Sequence, residues 1–256
     1  MKVVILAGGM GSRLSEETQV RPKPMVEIGH RPILWHIMQH YAHFGFRDFV
    51  ICLGYRGEYI KKYFSETLAL AADLTIDFST NTVELLETAR DDWRVTLVDT
   101  GQTTQTAGRL ERVRRYLDDE PFLMTYGDGV SDVDLGELVA FHRREGRLAT
   151  ITAVHPPARF GKLAIEDGTV TRFEEKPQMS EGWINGGFFV LEPGIFDYIH
   201  GDVDWAREPL EDLAAAGQLS GYCHSGFWQC MDTMRDRVLL NELWDSGAAP
   251  WKLWSS

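Results

Sequence analysis

Short, unbroken runs of apolar residues alternate with longer amphipathic stretches along the first 154 residues of the chain. The apolar runs cover residues 2–7, 48–53, 93–98, 122–126 and 148–154. A strand that is apolar at consecutive positions is typical of a parallel sheet covered on both faces, because neither face then meets water. These runs are therefore predicted to be strands.

The stretches between the runs have the period of amphipathic helices. One of them begins near Pro32, which suits a first helical turn, and ends before Gly45, which suits a helix end. The predicted helices cover residues 32–44, 57–64, 108–117 and 135–145. Strands that alternate with helices in this way indicate βαβ units and a mostly parallel sheet.

The pattern changes after Val154. Residues 160–173 contain short strand-like pieces around Glu166, Asp167 and Gly168, which is a hairpin signal. The later elements are predicted as a strand at 183–191, helices near 194–199 and 207–216, a strand at 218–224 and a helix at 233–246.

No linker or repeat interrupts the chain, so one α/β domain over residues 1–256 is predicted. The expected fold is a Rossmann-like, mixed and mostly parallel sheet flanked by helices, with small β additions in the C-terminal half. Residues 1–154 are expected to form mainly a nucleotide-binding core. Residues 155–256 are expected to carry the sugar-binding and oligomerisation elements.

The charge balance excludes one class of partner. The chain has 38 acidic and 26 basic residues and a formal net charge of -12, whereas binding to a nucleic acid needs clustered positive charge. The cysteines Cys52, Cys223 and Cys230 are too few and too irregularly spaced for a disulfide framework or a zinc site. No apolar run approaches the length of a membrane span or of a signal peptide with its cleavage site, so a soluble, cytoplasmic protein is expected.

A glycine-rich segment follows the first predicted strand. Its residues are Leu6, Ala7, Gly8, Gly9, Met10, Gly11 and Ser12. Glycines at the carboxyl end of a parallel strand let backbone N–H groups approach a ligand closely. The spacing matches neither the P-loop nor the dinucleotide-binding pattern, so from the segment alone both a phosphate loop and a plain turn stay open.

Two cations near this segment favour phosphate binding. Arg13 can donate two parallel hydrogen bonds to a phosphate. Lys23 stands between Pro22 and Pro24, which restrict the backbone on both sides of it, and a solvated lysine would not need such bracing. A triphosphate cleaved between its α and β groups needs cations to neutralise the developing charge.

These segments resemble a known group of enzymes. The sequence from Leu6 to Leu14, followed by Arg21-Pro22-Lys23-Pro24-Met25-Val26-Glu27-Ile28-Gly29, is similar to the opening of the sugar nucleotidyltransferases. Tyr126-Gly127-Asp128-Gly129, Glu175-Lys176-Pro177, residues 183–188 and residues 227–233 extend the similarity in order over essentially the whole chain. Within that superfamily they resemble the cytidylyltransferases that act on glucose 1-phosphate.

The resemblance implies a glycosyltransferase-A-like fold, CTP and glucose 1-phosphate as substrates, and Mg²⁺ as cofactor. It places Asp128 and Asp232 on one Mg²⁺, Arg13 at the leaving β- and γ-phosphates and Lys23 at the α-phosphate, with Arg13, Lys23 and Asp128 as the catalytic residues. From the residues alone, Asp128 could be a turn former and Asp232 a helix N-cap. The two interpretations of Asp232 are compatible, because a cap can leave one oxygen for a metal.

The resemblance also assigns the base and sugar sites. Thr104 and Arg109 face the base, with Gly127 beside the nucleotide. Arginine has only donors, so it suits the acceptor edge of cytosine and mismatches the N3 donor of uracil. A surface arginine on a basic helix beside Arg112 is the alternative, and Ala107 stands where glycine is expected, which puts the local backbone geometry in doubt.

By the same resemblance, the residues assigned to binding of the sugar phosphate are Glu175, Lys176, Trp183, Asn185 and Gly186. Lysine can neutralise the phosphate, while the glutamate and asparagine side chains can hydrogen bond to hydroxyl groups. Core packing is the alternative for Trp183. Cys230 stands where the pattern usually has proline.

The next expectations concern the oligomeric state and the positions of three histidines. Residues 249–254 contain tryptophans expected to be exposed, which favours an oligomer, and the resemblance implies a homohexamer. His36, His40 and His43 are expected on a helix surface or at a subunit contact.

Two other functions stay open. One is that of a related enzyme that uses dTTP, UTP or another sugar phosphate, and the other is that of a non-catalytic nucleotide-sugar sensor. Retention of the catalytic cations and carboxylates speaks against the sensor. The product would feed deoxysugar biosynthesis for a surface polysaccharide such as O-antigen, or for a secondary metabolite.

Overall fold

The structure, a computed structural model, describes residues 1–9, 11, 14–71, 73–85, 92–156, 162–166, 169–174 and 182–254. Its strands are β1 (Val3–Leu6), β2 (Glu27–Ile28), β3 (Arg31–Pro32), β4 (Asp48–Leu53), β5 (Leu74–Asp77), β6 (Thr82–Leu85), β7 (Arg94–Asp99), β8 (Phe122–Tyr126), β9 (Gly129–Ser131), β10 (Ala149–Val154), β11 (Lys162–Glu166), β12 (Thr169–Glu174), β13 (Ile184–Leu191), β14 (Leu219–His224) and β15 (Trp228–Cys230). Its α-helices are α1 (Ser15–Thr18), α2 (Ile33–His43), α3 (Gly57–Ala71), α4 (Thr106–Val113), α5 (Leu135–Glu145), α6 (Glu208–Ala215) and α7 (Met234–Asp245). Short 3-10 helices cover Lys23–Met25, Arg114–Tyr116 and Pro193–Tyr198.

A seven-stranded sheet in the order β14-β10-β13-β8-β1-β4-β7 forms the centre of the fold. Strand β13 runs antiparallel to both of its neighbours, and the other pairs in the sheet are parallel. This confirms the predicted mixed, mostly parallel sheet. Because β13 comes from the C-terminal part of the chain and lies between β8 and β10, the sheet joins the early and late parts of the sequence.

Helices cover both faces of the sheet, which explains the consecutive apolar residues of β1. Val3 and Ile5 pack in one core cluster with side chains of α2, α5 and α7. Val4 and Leu6 point the other way, into a second cluster with side chains of α4 and α6. Successive side chains of a strand alternate between faces, so each residue of β1 is buried without a polar position.

Most predicted elements are present, with three corrections. The helix predicted at 57–64 continues to Ala71 as α3. The helix predicted at 108–117 is divided into α4 and the 3-10 helix Arg114–Tyr116, and the one near 194–199 is a 3-10 helix. The β5–β6 hairpin was not predicted from the sequence, because the described side chains of its strands are all exposed and show no buried face.

The expectation of an exposed aromatic tail is wrong. Trp251 is completely buried, its indole N–H donates to Nδ1 of His36 at 3.4 Å, and its ring stacks on Phe227. Trp254 meets the ring of Trp35 edge-on. The C-terminal segment thus closes the core around α2 of its own chain, and it does not argue for an oligomer.

The expected surface position of the helix α2 histidines is likewise wrong for two of them. His36 and His40 are buried, whereas His43 is exposed. Nε2 of His36 lies 2.9 Å from the carbonyl oxygen of Ile28, so the neutral ring can donate there and accept from Trp251. In the part of the chain that the structure describes, no helix is both long and apolar enough to cross a membrane.

Burial of His36 predicts a pH-dependent stability. Burial lowers its pKa to about 4 from 6.5, so the neutral ring stabilises the fold fully above pH 6.5. This contribution is lost as the pH falls toward 4, because protonation then favours the unfolded chain. At about 1.4 kcal/mol per pKa unit, it is on the order of 3 kcal/mol.

Urea unfolding between pH 8 and pH 4 measures this loss. A His36→Gln variant should show a shallower fall of the free energy of unfolding below pH 6.5 than the unmodified protein. His43→Gln, on the exposed side of the same helix, should keep the original slope. A His36→Gln variant with an unchanged slope would show that this ring does not set the acid limit.

Candidate active site

A cavity of about 550 Å³ opens at the carboxyl ends of β1 and β8. The two strands are parallel neighbours with Leu6 opposite Tyr126, and the N–H of Gly127 donates to the carbonyl oxygen of Leu6 at 3.1 Å. A β-carbon on Gly127 would lie 3.0 Å from the ring of Pro24. Glycine at this position therefore lets the lysine-bearing turn lie close against the strand ends.

Lys23 points into this cavity from its short 3-10 helix, with Pro22 and Pro24 on either side. Its ammonium donates to Oδ2 of Asp128 at 2.6 Å and to Oδ1 of Asp232 at 2.5 Å. Burial opposes the charge of Lys23, but the two carboxylates outweigh it, so its pKa is raised above the ordinary value. The braced lysine is thus a buried, charged group.

A short ribbon brings the two carboxylates together. Asp128 directly precedes β9, and Asp232 lies two residues after β15. These two strands pair antiparallel, so that Cys230 lies opposite Gly129. The N–H of Met231 donates to the carbonyl oxygen of Asp128 at 2.8 Å. The ribbon therefore sets the distance between two residues that lie far apart in the sequence.

The proposed N-cap role of Asp232 is corrected by the structure. Thr233 is the N-cap of α7 and forms a reciprocal capping box with Asp236. The backbone N–H of Asp232 also donates to Oδ2 of Asp236, at 3.0 Å. Because Thr233 supplies the cap, the carboxylate of Asp232 is directed to Lys23 instead.

Arg109 lies beneath the glycine segment and is only 3% exposed. Its Nη1 donates to the carbonyl oxygens of Leu53 and Gly101 at 3.0 and 2.8 Å, and its Nη2 donates to that of Gly8 at 3.0 Å. A β-carbon on Gly8 or Gly54 would overlap the guanidinium. Arg109 therefore ties the ends of β1, β4 and β7 together, and the surface alternative for it is wrong.

Two acidic residues of the segment before α6 lie at the amino end of α4. The N–H of Gln105 donates to Oδ1 of Asp202 at 2.8 Å, and the hydroxyl of Thr106 donates to Oδ1 of Asp204 at 2.7 Å. Ala107 is buried in regular helix, so its side chain does not disturb the backbone. Glycine is required instead at Gly108, where a β-carbon would lie 2.2 Å from Asp202.

The opposite end of the cavity is formed by β13 and the ribbon. The indole N–H of Trp228 donates to the carbonyl oxygen of Gly186 at 2.7 Å. Oδ1 of Asn185 accepts the N–H of Gly187 at 2.8 Å, and its side chain is hydrogen bonded to Tyr126. Burial raises the pKa of the Tyr126 hydroxyl, so this side chain is a neutral hydrogen-bonding group.

Comparison with known proteins identifies the family. The model of the family described as nucleotidyl transferase matches residues 2–228. The chain belongs to the nucleotidyl transferase family. It is 53% identical to the glucose-1-phosphate cytidylyltransferase of Salmonella typhi, over 99% of this chain and 100% of that protein. It is 44% identical, with the same coverage, to a Bacillus subtilis protein named probable glucose-1-phosphate cytidylyltransferase.

A solved structure supports the fold of this nucleotidyl transferase. The apo-UDP-glucose pyrophosphorylase structure superposes with a TM-score of 0.67 at 15% identity, over 96% of this chain and 98% of that one. At this identity the likeness concerns the fold alone. It agrees with the predicted α/β architecture.

Most of the residues predicted for this site line the cavity. They are Leu6, Ala7, Gly8, Gly9, Gly11, Lys23, Thr104, Arg109, Gly127, Asp128, Asn185, Gly186 and Asp232. Met10, Ser12, Arg13, Glu175 and Lys176 lie outside the described residues. Trp183 is 45% exposed, and its ring lies on that of His155, with the centroids 3.8 Å apart. The roles of these residues stay predictions.

Other lining residues of this nucleotidyl transferase were not assigned from the sequence. They include Pro24, Gln105, Thr106, Tyr126 and Trp228. Tyr126 and Trp228 belong to motifs that carry the resemblance, so they could have been found there. No sequence pattern predicted the contacts of Asp202 and Asp204, because nothing in the local sequence shows that their segment meets α4.

Proposed function

We propose that this nucleotidyl transferase transfers a cytidylyl group from CTP to α-D-glucose 1-phosphate and releases CDP-glucose and pyrophosphate. The observation that carries the chemistry is the convergence of Asp128, Asp232 and Lys23 at one point of the cavity. The choice of CTP and glucose 1-phosphate is supported by full-length relatives that are named for this activity.

The two carboxylates fit the expected Mg²⁺. One oxygen of Asp128 and one of Asp232 reach the same ammonium, so both can reach one cation, and Mg²⁺ prefers such oxygen ligands. Among the described residues, no group of three or more His, Cys, Asp or Glu side chains could hold a metal. Waters and substrate phosphates commonly complete the shell of Mg²⁺. Bound there, it would neutralise charge on the reacting phosphates.

The chain itself has to align and neutralise its substrates. An oxygen of the sugar phosphate attacks the α-phosphorus, a new P–O bond forms, and the bond to the bridging oxygen breaks with pyrophosphate as leaving group. The attacking phosphate is already anionic, so no general base is needed. Lys23 binds the α-phosphate, and Arg13 binds the β- and γ-phosphates. Both side chains position the nucleotide and stabilise its negative charge.

Electrostatics separate the phosphate end from the base end. The amino end of a helix normally favours an anion, but that of α4 already has Asp202 and Asp204 beside it. A further negative group there would be repelled. A neutral base therefore suits the end of the cavity at Thr104 and Arg109, and the phosphates suit the glycine segment and Lys23.

The remaining assignments are carried by the resemblance. Glu175, Lys176, Trp183, Asn185 and Gly186 would receive the glucose 1-phosphate. The first 154 residues would serve mainly the nucleotide, and the rest of the chain the sugar and assembly. The enzyme would work in the cytoplasm and supply deoxysugar biosynthesis, either for O-antigen or for a secondary metabolite.

A homo-oligomer, a hexamer by resemblance, is also proposed. Ile76 and Val83 are paired on one face of the β5–β6 hairpin, and they are 49% and 62% exposed. Phe78, beside them in the turn, is 85% exposed. An isolated two-stranded hairpin is marginally stable in water, so cover from a second copy of the chain would stabilise it.

The function is tested by pyrophosphate release with CTP, UTP, dTTP and GTP against a panel of sugar 1-phosphates. CTP with glucose 1-phosphate should have the highest kcat/KM. Equal turnover of UTP or dTTP would contradict the choice of base. No turnover with any pair would favour the non-catalytic sensor.

Replacing Arg109 should weaken base selection. Arg109→Ala removes donors that hold Gly8 and Leu53, so the ratio of kcat/KM for CTP over UTP should fall by about tenfold or more. The Mg²⁺ concentration for half-maximal rate should move less. An unchanged CTP/UTP ratio would contradict the proposed role in base selection.

Two further variants control this experiment. Arg109→Lys keeps the charge but loses the planar fork, so it should also lose selectivity. Arg112→Ala on the same helix removes a bond to the carbonyl oxygen of Thr100 and should keep the preference. Thermal unfolding checks that each variant is folded.

The hairpin is tested by light scattering after size exclusion. The double variant Ile76→Ser/Val83→Ser should have a lower mass than the unmodified protein at equal concentration, because a buried aliphatic side chain contributes about 1.5–3 kcal/mol. Val238→Ser, at an exposed position of α7, is the matched control. The same mass for all three proteins would exclude this face as the interface.

A further inference from the structure

Lys23 lies at the point where both metal-binding carboxylates of the proposed site converge. We propose that its ammonium holds the place of the metal ion, and that metal and nucleotide expel it together, so that it moves to a phosphate of the nucleotide. This rests on the proposed function, because it takes Asp128 and Asp232 as the ligands.

The distances make the two cations exclusive. The ammonium lies 2.6 Å from Oδ2 of Asp128 and 2.5 Å from Oδ1 of Asp232. A Mg²⁺ ion that binds the same two oxygens lies about 2.0–2.1 Å from each. It would overlap the ammonium, so the lysine has to leave before these two oxygens can bind the ion.

The local structure allows this exchange without moving the backbone. Pro22 and Pro24 hold the main chain of Lys23, while its four-carbon stem can rotate. The ammonium also has a structural task, since the carboxylates of Asp128 and Asp232 would repel each other without a cation between them. Lys23 therefore keeps the pair in place for the metal.

The exchange couples the two ligands. A metal ion that binds alone has to break two charge-assisted hydrogen bonds of a buried lysine and leave that lysine without an anion. A nucleotide phosphate offers the displaced ammonium a new partner. Metal and nucleotide should therefore strengthen each other's binding, and by the same factor in both directions.

The test measures Mn²⁺ binding by the electron paramagnetic resonance signal of the free ion, with and without α,β-methylene-CTP and without sugar phosphate, and the Mn²⁺ that the analogue binds without protein is measured separately and subtracted. In the unmodified enzyme, Mn²⁺ alone should bind weakly, and the analogue should tighten it by about tenfold or more. In Lys23→Met, Mn²⁺ alone should bind about tenfold more tightly than in the unmodified enzyme, and the effect of the analogue should shrink.

Two variants accompany the comparison. Lys23→Gln removes the charge but can donate to one carboxylate, so it replaces the methionine variant if that one does not fold, and it should change Mn²⁺ binding in the same direction. Lys62→Met removes an exposed lysine whose partner is Glu66, and it should bind Mn²⁺ like the unmodified enzyme.

The outcomes separate this inference from the proposed function. If the proteins bind Mn²⁺ with the analogue beyond what the analogue binds alone, but the Lys23 variants bind Mn²⁺ alone no more tightly than the unmodified enzyme, the exchange is wrong and the metal site stands. If no protein adds to the Mn²⁺ that the analogue binds alone, both the exchange and the proposed metal site are wrong.

Discussion

Two carboxylates and one ammonium meet at the edge of the sheet, although they come from three separate parts of the chain. The surrounding fold has to hold these three groups together. Asp128 and Asp232 repel each other, so they can lie close only with a cation between them. Lys23 supplies that cation from a turn braced by two prolines. The β9–β15 ribbon resists the repulsion mechanically, because backbone hydrogen bonds hold the two chain segments side by side.

Arg109 performs a comparable task on the other side of the cavity. Three strands end there, and the carbonyl oxygens of Leu53 and Gly8 already accept the backbone N–H groups of Thr100 and Tyr55. The guanidinium donates to the carbonyls of Gly8, Leu53 and Gly101 at once. Because a planar fork with several donors is needed, the joining of the three strand ends depends on this one side chain.

Charged side chains are placed unevenly around the cavity. Asp202 and Asp204 lie at the amino end of α4, whereas Lys23 places an ammonium between Asp128 and Asp232. The chain as a whole is acidic, with a formal net charge of -12. A few placed cations, rather than a basic surface, therefore serve the anionic substrates.

The sequence by itself determined the seven strands of the central sheet, since a run such as Val3–Leu6 has no face that tolerates water. Its ordered motifs indicated the family and most of the lining residues. Tertiary structure decided the rest: that Asp232 lies beside Asp128, that Arg109 is buried, and that Trp251 closes its own core. Local patterns record burial and backbone preference. Which distant segment provides the partner depends on sheet order and packing, so a three-residue ribbon strand leaves no periodic signal.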